Sequence, residues 1–509
     1  MKITRRDAIR MGLLGGAGLL LPYSYQPSAR AQFSPQIPRF ELPFRRLPLL
    51  EPERSDRTTD YYQIVMRKAQ VEILPGTTTE IWGYNGISPG PLIRQLGGKR
   101  SRGGRQSVVR FINQLGTDSQ GRAIETSVHL HGMASLPQYD GHAEDLSAPN
   151  QYKDYIYPNE RPATIWYHDH AIDYTARNVY MGLAGMYIVE DDYELSELNL
   201  PSGEYDVPLI LQDKRFAPDG SLAFNTRNNK GVAGDVILVN GVPWPRMEVA
   251  NRKYRFRILN TSPSRAYELA LSTGDDLVMI GTDAGLRGQP LKTKSFAIFP
   301  AERYEFIIDF SPYPIGTEVI LRNLGVRLSL DYDVRTREIM RFDVVRRESD
   351  DSRIPQILRD YQPIDPAQAK RTRTFRFARN FNDWTINGKV WNKNRVDANP
   401  GYGDIEIWNL ITPGGWFHPI HIHLLDMQML SRGGRSPRPY ERGWKDVFYT
   451  GEFQTVQVIG KFGPEIGRYM MHCHNLVHED RSMMTQFEVG EGGYSPFADP
   501  PKPLPAPAL

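Results

Sequence analysis

Cys473 is the only cysteine in 509 residues, and it lies between two histidines in the stretch Tyr469–Met484, YMMHCHNLVHEDRSMM. His478 follows five residues later, and Met483 five after that. A lone thiol closes no disulfide within its own chain, so it is a buried bystander, a reactive thiol or a metal ligand. The remaining histidines narrow the choice. Eleven are present and ten fall in four tight groups. HLHG holds His129 and His131, WYHDH holds His168 and His170, HPIHIHL holds His418, His421 and His423, and HCHNLVH holds His472, His474 and His478. Histidines kept only for core packing would be scattered.

On a β-strand, residues i and i+2 share a face. Each His-x-His pair therefore aims two imidazoles into one space. Four pairs offer more nitrogens than a single ion takes, so two or three ions share them, with open positions for a small ligand. Neutral imidazole suits copper, zinc or iron. Cys473 has the opposite phase to His472 and His474 and serves a different metal across the strand. His418, three residues before His421, shares that opposite phase. His418, Cys473 and His478, with Met483 as a weak axial ligand, make the blue-copper electron-transfer set. One Cys–His peptide link then joins this copper to the imidazole cluster.

Such side chains need strands to hold them. Short β-type runs such as SVVRFIN, YRFRILN, YEFIIDF and IEIWNL are separated by frequent Pro and Gly, and long helical periods are scarce. This predicts an all-β chain of sandwiches. A weak repeat divides it. Asn85-Gly86, Asn240-Gly241 and Asn387-Gly388 each precede a strand ending in Asn, at Asn113, Asn260 and Asn409. Asn-Gly is a hairpin-turn signal. Three copies in step predict three related domains, at 45–195, 196–345 and 370–509, with a polar linker at 346–369. A formal charge of +3 gives no sign of a nucleic-acid binder.

The N-terminus carries Arg5-Arg6, a Gly/Leu-rich run from Met11 to Leu21 and a small-x-small site at Ala29-Arg30-Ala31. Residues 1–31 read as a twin-arginine signal peptide, which predicts a periplasmic or secreted protein with no membrane segment after its removal.

The four motifs, in this order, resemble those of the multicopper oxidases. Within that family the stretches DGHAEDLSAPNQYKDYIYPNERPATIWYHDH, GGWFHPIHIHL and MHCHNLVHEDRSMM look most like bilirubin oxidases and spore-coat-type laccases. The resemblance implies three cupredoxin-like Greek-key β-sandwich domains and four copper ions. His418, Cys473, His478 and Met483 would hold a type 1 copper. His129 and His421 would hold a type 2 copper, and His131, His168, His170, His423, His472 and His474 a type 3 pair. The second domain has no ligands and reads as a spacer. The implied reaction is one-electron oxidation of small aromatic donors (phenols, aryl amines or tetrapyrroles) with reduction of O2 to water by a monomeric enzyme.

Reducing O2 requires protons, and by the same resemblance Asp140 and Glu479 are placed to deliver them. Asp169, between two ligands, points away from the metals and reads as a supporting group, while His142 reads as a loop residue. A donor must reach an exposed edge of a type 1 imidazole, and Trp416 and Phe417 either line that approach or serve as core aromatics. Two rival readings are a cuprous or other metal-ion oxidase and a copper-free scaffold of the same fold. The intact ligand set opposes the scaffold, and the scattered methionines make a cuprous donor the less favoured one.

Overall fold

The computed structural model describes residues 33–98, 103–326, 334–381 and 383–490, with the backbone of Leu504–Pro505. The signal-peptide expectation lies outside these residues. Strand makes up 46% of the chain against 7% helix, so sheets must position any site. The chain folds as cupredoxin-like Greek-key β-sandwiches. Strands between Arg54 and Glu190 form one pair of sheets, those between Asp206 and Arg346 a second, and those between Arg371 and Val489 a third. Leu504–Pro505 returns to pair antiparallel with Gln151–Tyr157 of the first.

One parallel pairing recurs in all three sandwiches: Thr59–Val71 with Gln106–Gln114, Asp206–Lys214 with Lys253–Asn260, and Arg371–Asn380 with Ile405–Thr412. Parallel neighbours need a crossover, and the Asn-Gly turns lie in these crossovers. Both residues of each turn have positive φ, 55° and 71° at Asn85-Gly86, 50° and 78° at Asn240-Gly241, and 54° and 73° at Asn387-Gly388. That is the left-handed region Asn and Gly tolerate. The Asn also anchors the strand it follows. Asn85, Asn240 and Asn387 accept through Oδ1 from the N–H of Val65, Ile210 and Arg376, and return their own N–H to the same residue's carbonyl.

The second half of the repeat differs from expectation. Val65 pairs with Ile112 and Ile210 with Leu259, and the residue after each is the buried Asn113 or Asn260. Each of these asparagines donates through Nδ2 to two backbone carbonyls. In the third copy Arg376 pairs with Ile411, and the residue that follows is Thr412. Asn409 lies three places earlier and bonds Gln457 and Thr374 near the surface. The matching position has therefore become a threonine.

Buried charges lock the first two sandwiches together. Arg257 donates to Asp206 (2.9 Å), Glu190 (2.8 Å) and Glu194 (3.1 Å), and Arg255 to Glu194 (2.7 Å). In the segment between the second and third sandwiches, Leu358 is fully buried against Leu198, Leu200, Leu286 and Ile307. Among the described residues, no helix is long and apolar enough to cross a membrane.

Candidate metal centre

Two antiparallel ladders carry the paired histidines. Val128–His131 pairs with Ala163–Asp169, setting His129 opposite His168. His418–Ile422 pairs with Gly467–Cys473, setting His421 opposite His472 and Cys473 opposite Ile420. The first ladder belongs to the first sandwich and the second to the third. Their imidazole-bearing ends meet, so the eight paired rings form one cluster. His129 stacks on His423 with ring centres 3.9 Å apart, and His131 on His421 at 3.6 Å. His129 Nε2 lies 3.3 Å from His421 Nε2, and His472 Nε2 lies 3.2 Å from His170 Nε2 and 3.1 Å from His423 Nε2.

Hydrogen bonds at the far ring atoms fix which nitrogen faces inward. His129, His421 and His168 donate from Nδ1 to the carbonyls of Asp140, Asp446 and Asp169, and His423 donates from Nδ1 to Asp140 Oδ2 at 2.8 Å. Each then presents a bare Nε2. His131 is reversed. Its Nε2 donates to Asp446 Oδ1 at 3.0 Å, leaving Nδ1 bare. All eight rings are at most 1% exposed, and His131 Nδ1, His168 Nε2 and His474 Nε2 have no partner. A buried acceptor without a donor costs about 1–3 kcal/mol. Burial holds the pKa of His129, His131, His168, His421, His423 and His474 well below the usual range and that of His170 at about 4. Protons therefore do not fill the gap at neutral pH. Neutral, convergent imidazoles that lack donors fit metal ions.

Across the strand, Cys473 Sγ lies 3.3 Å from His418 Nδ1 and 3.5 Å from His478 Nδ1, and the two nitrogens are 3.2 Å apart. His478 donates from Nε2 to the Lys230 carbonyl at 3.1 Å, so its Nδ1 is bare as well. Burial pushes the Cys473 thiol up, and a bound cation would release its proton. Met483 is tied to this trio by two backbone bonds, N–H to the His478 carbonyl and carbonyl from the Cys473 N–H, each 3.1 Å. Its side chain is fully buried.

Three groups around these sites had no signal in the sequence. Asp446 holds His131 through its side chain and His421 through its carbonyl, and Arg303 clamps it from behind with bonds of 2.7 and 2.5 Å. Gly132, at φ 96°, leaves room for this pair, because a Cβ there would stand 2.8 Å from Arg303 Nη2. Trp384 stacks on His478 at 3.9 Å. The third group comes from the second sandwich. The carbonyls of Thr226, Asn229 and Lys230 accept from Arg481, Trp384 and both Asn475 and His478. The second sandwich thus covers the cysteine trio.

That cover changes the expected donor approach, since His418 and His478 are fully buried and show no exposed edge. Phe417 is a core aromatic packed with Phe299 and Tyr449, whereas Trp416 is half-buried beneath the Lys230 ammonium, 5.2 Å from its ring centre. Asp169 does face away from the rings and accepts from the N–H groups of Ser127 and Ala171 and from Asn178. His142 sits in a loop but is buried there. Of the two acids, Asp140 accepts from His423, and burial raises its pKa well above the usual range. Glu479 Oε2 stands 3.0 Å from His472 Nδ1. Burial alone would raise its pKa, but His472 and His170 outweigh it and hold the carboxylate at about 2.

Residues 65–194 and 363–493 each match a family profile described as Multicopper oxidase. The chain is 40% identical to bilirubin oxidase of Albifimbria verrucaria over 93% of its own length and 86% of that protein. It belongs to the multicopper oxidase family. It is also 35% identical to a laccase of Bacillus subtilis, over 86% of this chain and 96% of the relative. The crystal structure of laccase from Pediococcus acidilactici matches with a TM-score of 0.80 at 28% identity, covering 90% of this chain and 95% of that one. As a multicopper oxidase it is a copper oxidoreductase that uses O2 and organic donors. The imidazole and thiol donors described above suit that metal.

Proposed function

We propose that this multicopper oxidase oxidises phenolic, aryl-amine or tetrapyrrole donors one electron at a time and reduces O2 to two waters. Four donor electrons and four protons balance each O2. Copper, when bound, supplies the one-electron chemistry at both ends. His418, Cys473, His478 and Met483 hold one type 1 ion; His129 and His421 hold a type 2 ion; His131, His168, His170, His423, His472 and His474 hold a type 3 pair. Asp140, accepting from His423 at Oδ2, keeps Oδ1 free of partners and holds a proton there. Glu479, held ionised beside His472, returns protons from solvent. We read the three sheet pairs as domains at 45–195, 196–345 and 370–509, residues 1–31 as the twin-arginine signal, and the mature enzyme as an exported monomer.

The observation that carries this reading is the peptide His472–Cys473–His474, in which Cys473 belongs to the trio while the rings on either side of it pack in the imidazole cluster. A cuprous-ion donor gains no support, because every described methionine is buried or half-buried. The test is copper content with visible and paramagnetic-resonance spectra. About four coppers per chain, a strong thiolate band and roughly half the copper silent in resonance are expected. One copper with a blue band would mean an electron carrier, and none after reconstitution would remove the enzyme reading.

Met483→Leu should raise the type 1 potential, because a thioether favours the oxidised ion more than an alkyl chain does. A rise of about 60 mV, tenfold in a one-electron equilibrium constant, would appear in a redox titration of the blue band. No rise would mean that the sulfur does not face the copper.

A further inference from the structure

Resting on that reading, the surface over the cysteine trio carries information about the donor. Four cationic side chains surround it: Arg227 and Lys230 on the covering segment, Arg379 on the strand Arg371–Asn380, and Arg481 after the helix Leu476–Glu479. Arg481 bonds the Thr226 carbonyl, Lys230 lies over Trp416, and Arg379 stands 5.9 Å from the Trp384 ring that stacks on His478. Among the described residues none of the four has a carboxylate within ion-pair distance, although most arginines elsewhere on the chain do. Three acids lie on the same segments, Asp383, Glu452 and Asp480; Glu452 accepts from the Gly415 N–H and Asp480 from the Ala176 N–H. The balance remains positive. Two aromatic rings stand almost bare beside the cations, Phe381 at 92% and Phe453 at 82% exposed. Phe381 follows the strand that carries Arg379, and Phe453 lies against Gly414, two residues before Trp416.

We propose that this surface selects small anionic aromatic donors, and that Lys230, Arg379 and Arg481 are the residues that select them. Exposed rings supply stacking area, and unpaired cations supply steering and charge recognition. A carboxylate or sulfonate on the donor docks over the covering segment, whose Lys230 carbonyl receives the His478 N–H. Its electron then has one hydrogen bond to cross before the trio. Cationic donors of the same potential meet repulsion.

The test compares ferrocene carboxylate with (ferrocenylmethyl)trimethylammonium on the copper-loaded enzyme. At low ionic strength kcat/KM should favour the anion by about tenfold or more, and the preference should shrink as salt screens the surface. Lys230→Glu with Arg379→Glu, both exposed, should reverse the preference between the two ferrocenes. Calorimetry on the copper-free protein supplies a readout apart from turnover: naphthalene-2-sulfonate should bind, and the double variant should lose that binding. Equal kcat/KM for the two ferrocenes at low salt, or a preference untouched by the double variant, would overturn the proposal. Loss of oxidation of every donor would instead count against the oxidase reading, with the calorimetry still deciding this one.

Discussion

Asp140→Asn should slow reoxidation of the fully reduced enzyme by O2 about 10²–10⁴-fold, the usual range for losing a positioned acid, while the donor still reduces the blue copper at the wild-type rate. The substitution separates two duties of one side chain. An asparagine has the same shape and keeps an acceptor oxygen for His423 Nδ1, now 2.8 Å away. The ring stays oriented and its bare Nε2 stays inward. What is lost is a proton on the oxygen that has no partner. Asp140→Ala would remove both duties and would not distinguish them. Stopped-flow mixing with O2 reads the reoxidation, and anaerobic mixing with donor reads the blue band. An unchanged reoxidation rate would show that protons arrive elsewhere, and Glu479→Gln would be the next variant to make.

Asp446→Ala should cost the protein about 3–5 kcal/mol of stability and the cluster about 10–100-fold in copper affinity. The first figure is the usual penalty for leaving a buried charge without its partner. Arg303 is fully buried, and its other acid, Asp283, stands 3.7 Å off and is already shared with Lys445 at 2.7 Å. The second figure is typical for removing a group that orients a metal-bound imidazole. The loss should be selective. His421 is held by the Asp446 backbone carbonyl, which the substitution keeps, so His131 is the ring set free. Copper per chain after dialysis should fall while the blue band persists. Pairing the change with Arg303→Met should restore much of the stability without restoring copper, because it removes the orphaned charge but not the need for an acceptor at His131 Nε2. If copper returned with stability, Asp446 would matter to the fold alone.

The candidate ligands were legible because strand alternation is a local rule. His-x-His on one face and Cys473 on the other follow from spacing alone, and the structure gathers nine of the ten clustered histidines and the thiol into groups that could hold an ion, with His474 5.1 Å from the His131 ring. Asp446 was not legible. It sits in WKDVFYT, where nothing marks a buried carboxylate, and its role depends on a strand of the first sandwich meeting one of the third. The same holds for the carbonyls that cover His478. Backbone acceptors leave no trace in residue type, so a segment such as TRNNK reads as an ordinary polar loop. The repeat was half legible. Asn-Gly marks a turn through its own conformational preference, whereas the strand-end asparagine is defined by register. Asn409 was a plausible letter in the wrong register, and Thr412 holds the place.

The seam between the two ladders sets an order of events in the life of the chain. Half of the cluster lies before residue 171 and half after residue 420. A ribosome that has finished the first sandwich has made four imidazoles that face nothing. They remain half a site until the last hundred residues emerge, fold and dock. Copper that arrives early finds only pairs of nitrogens, so filling the cluster has to be among the last steps of maturation. A truncation just short of His472 would leave most of the molecule foldable and none of it able to reduce oxygen.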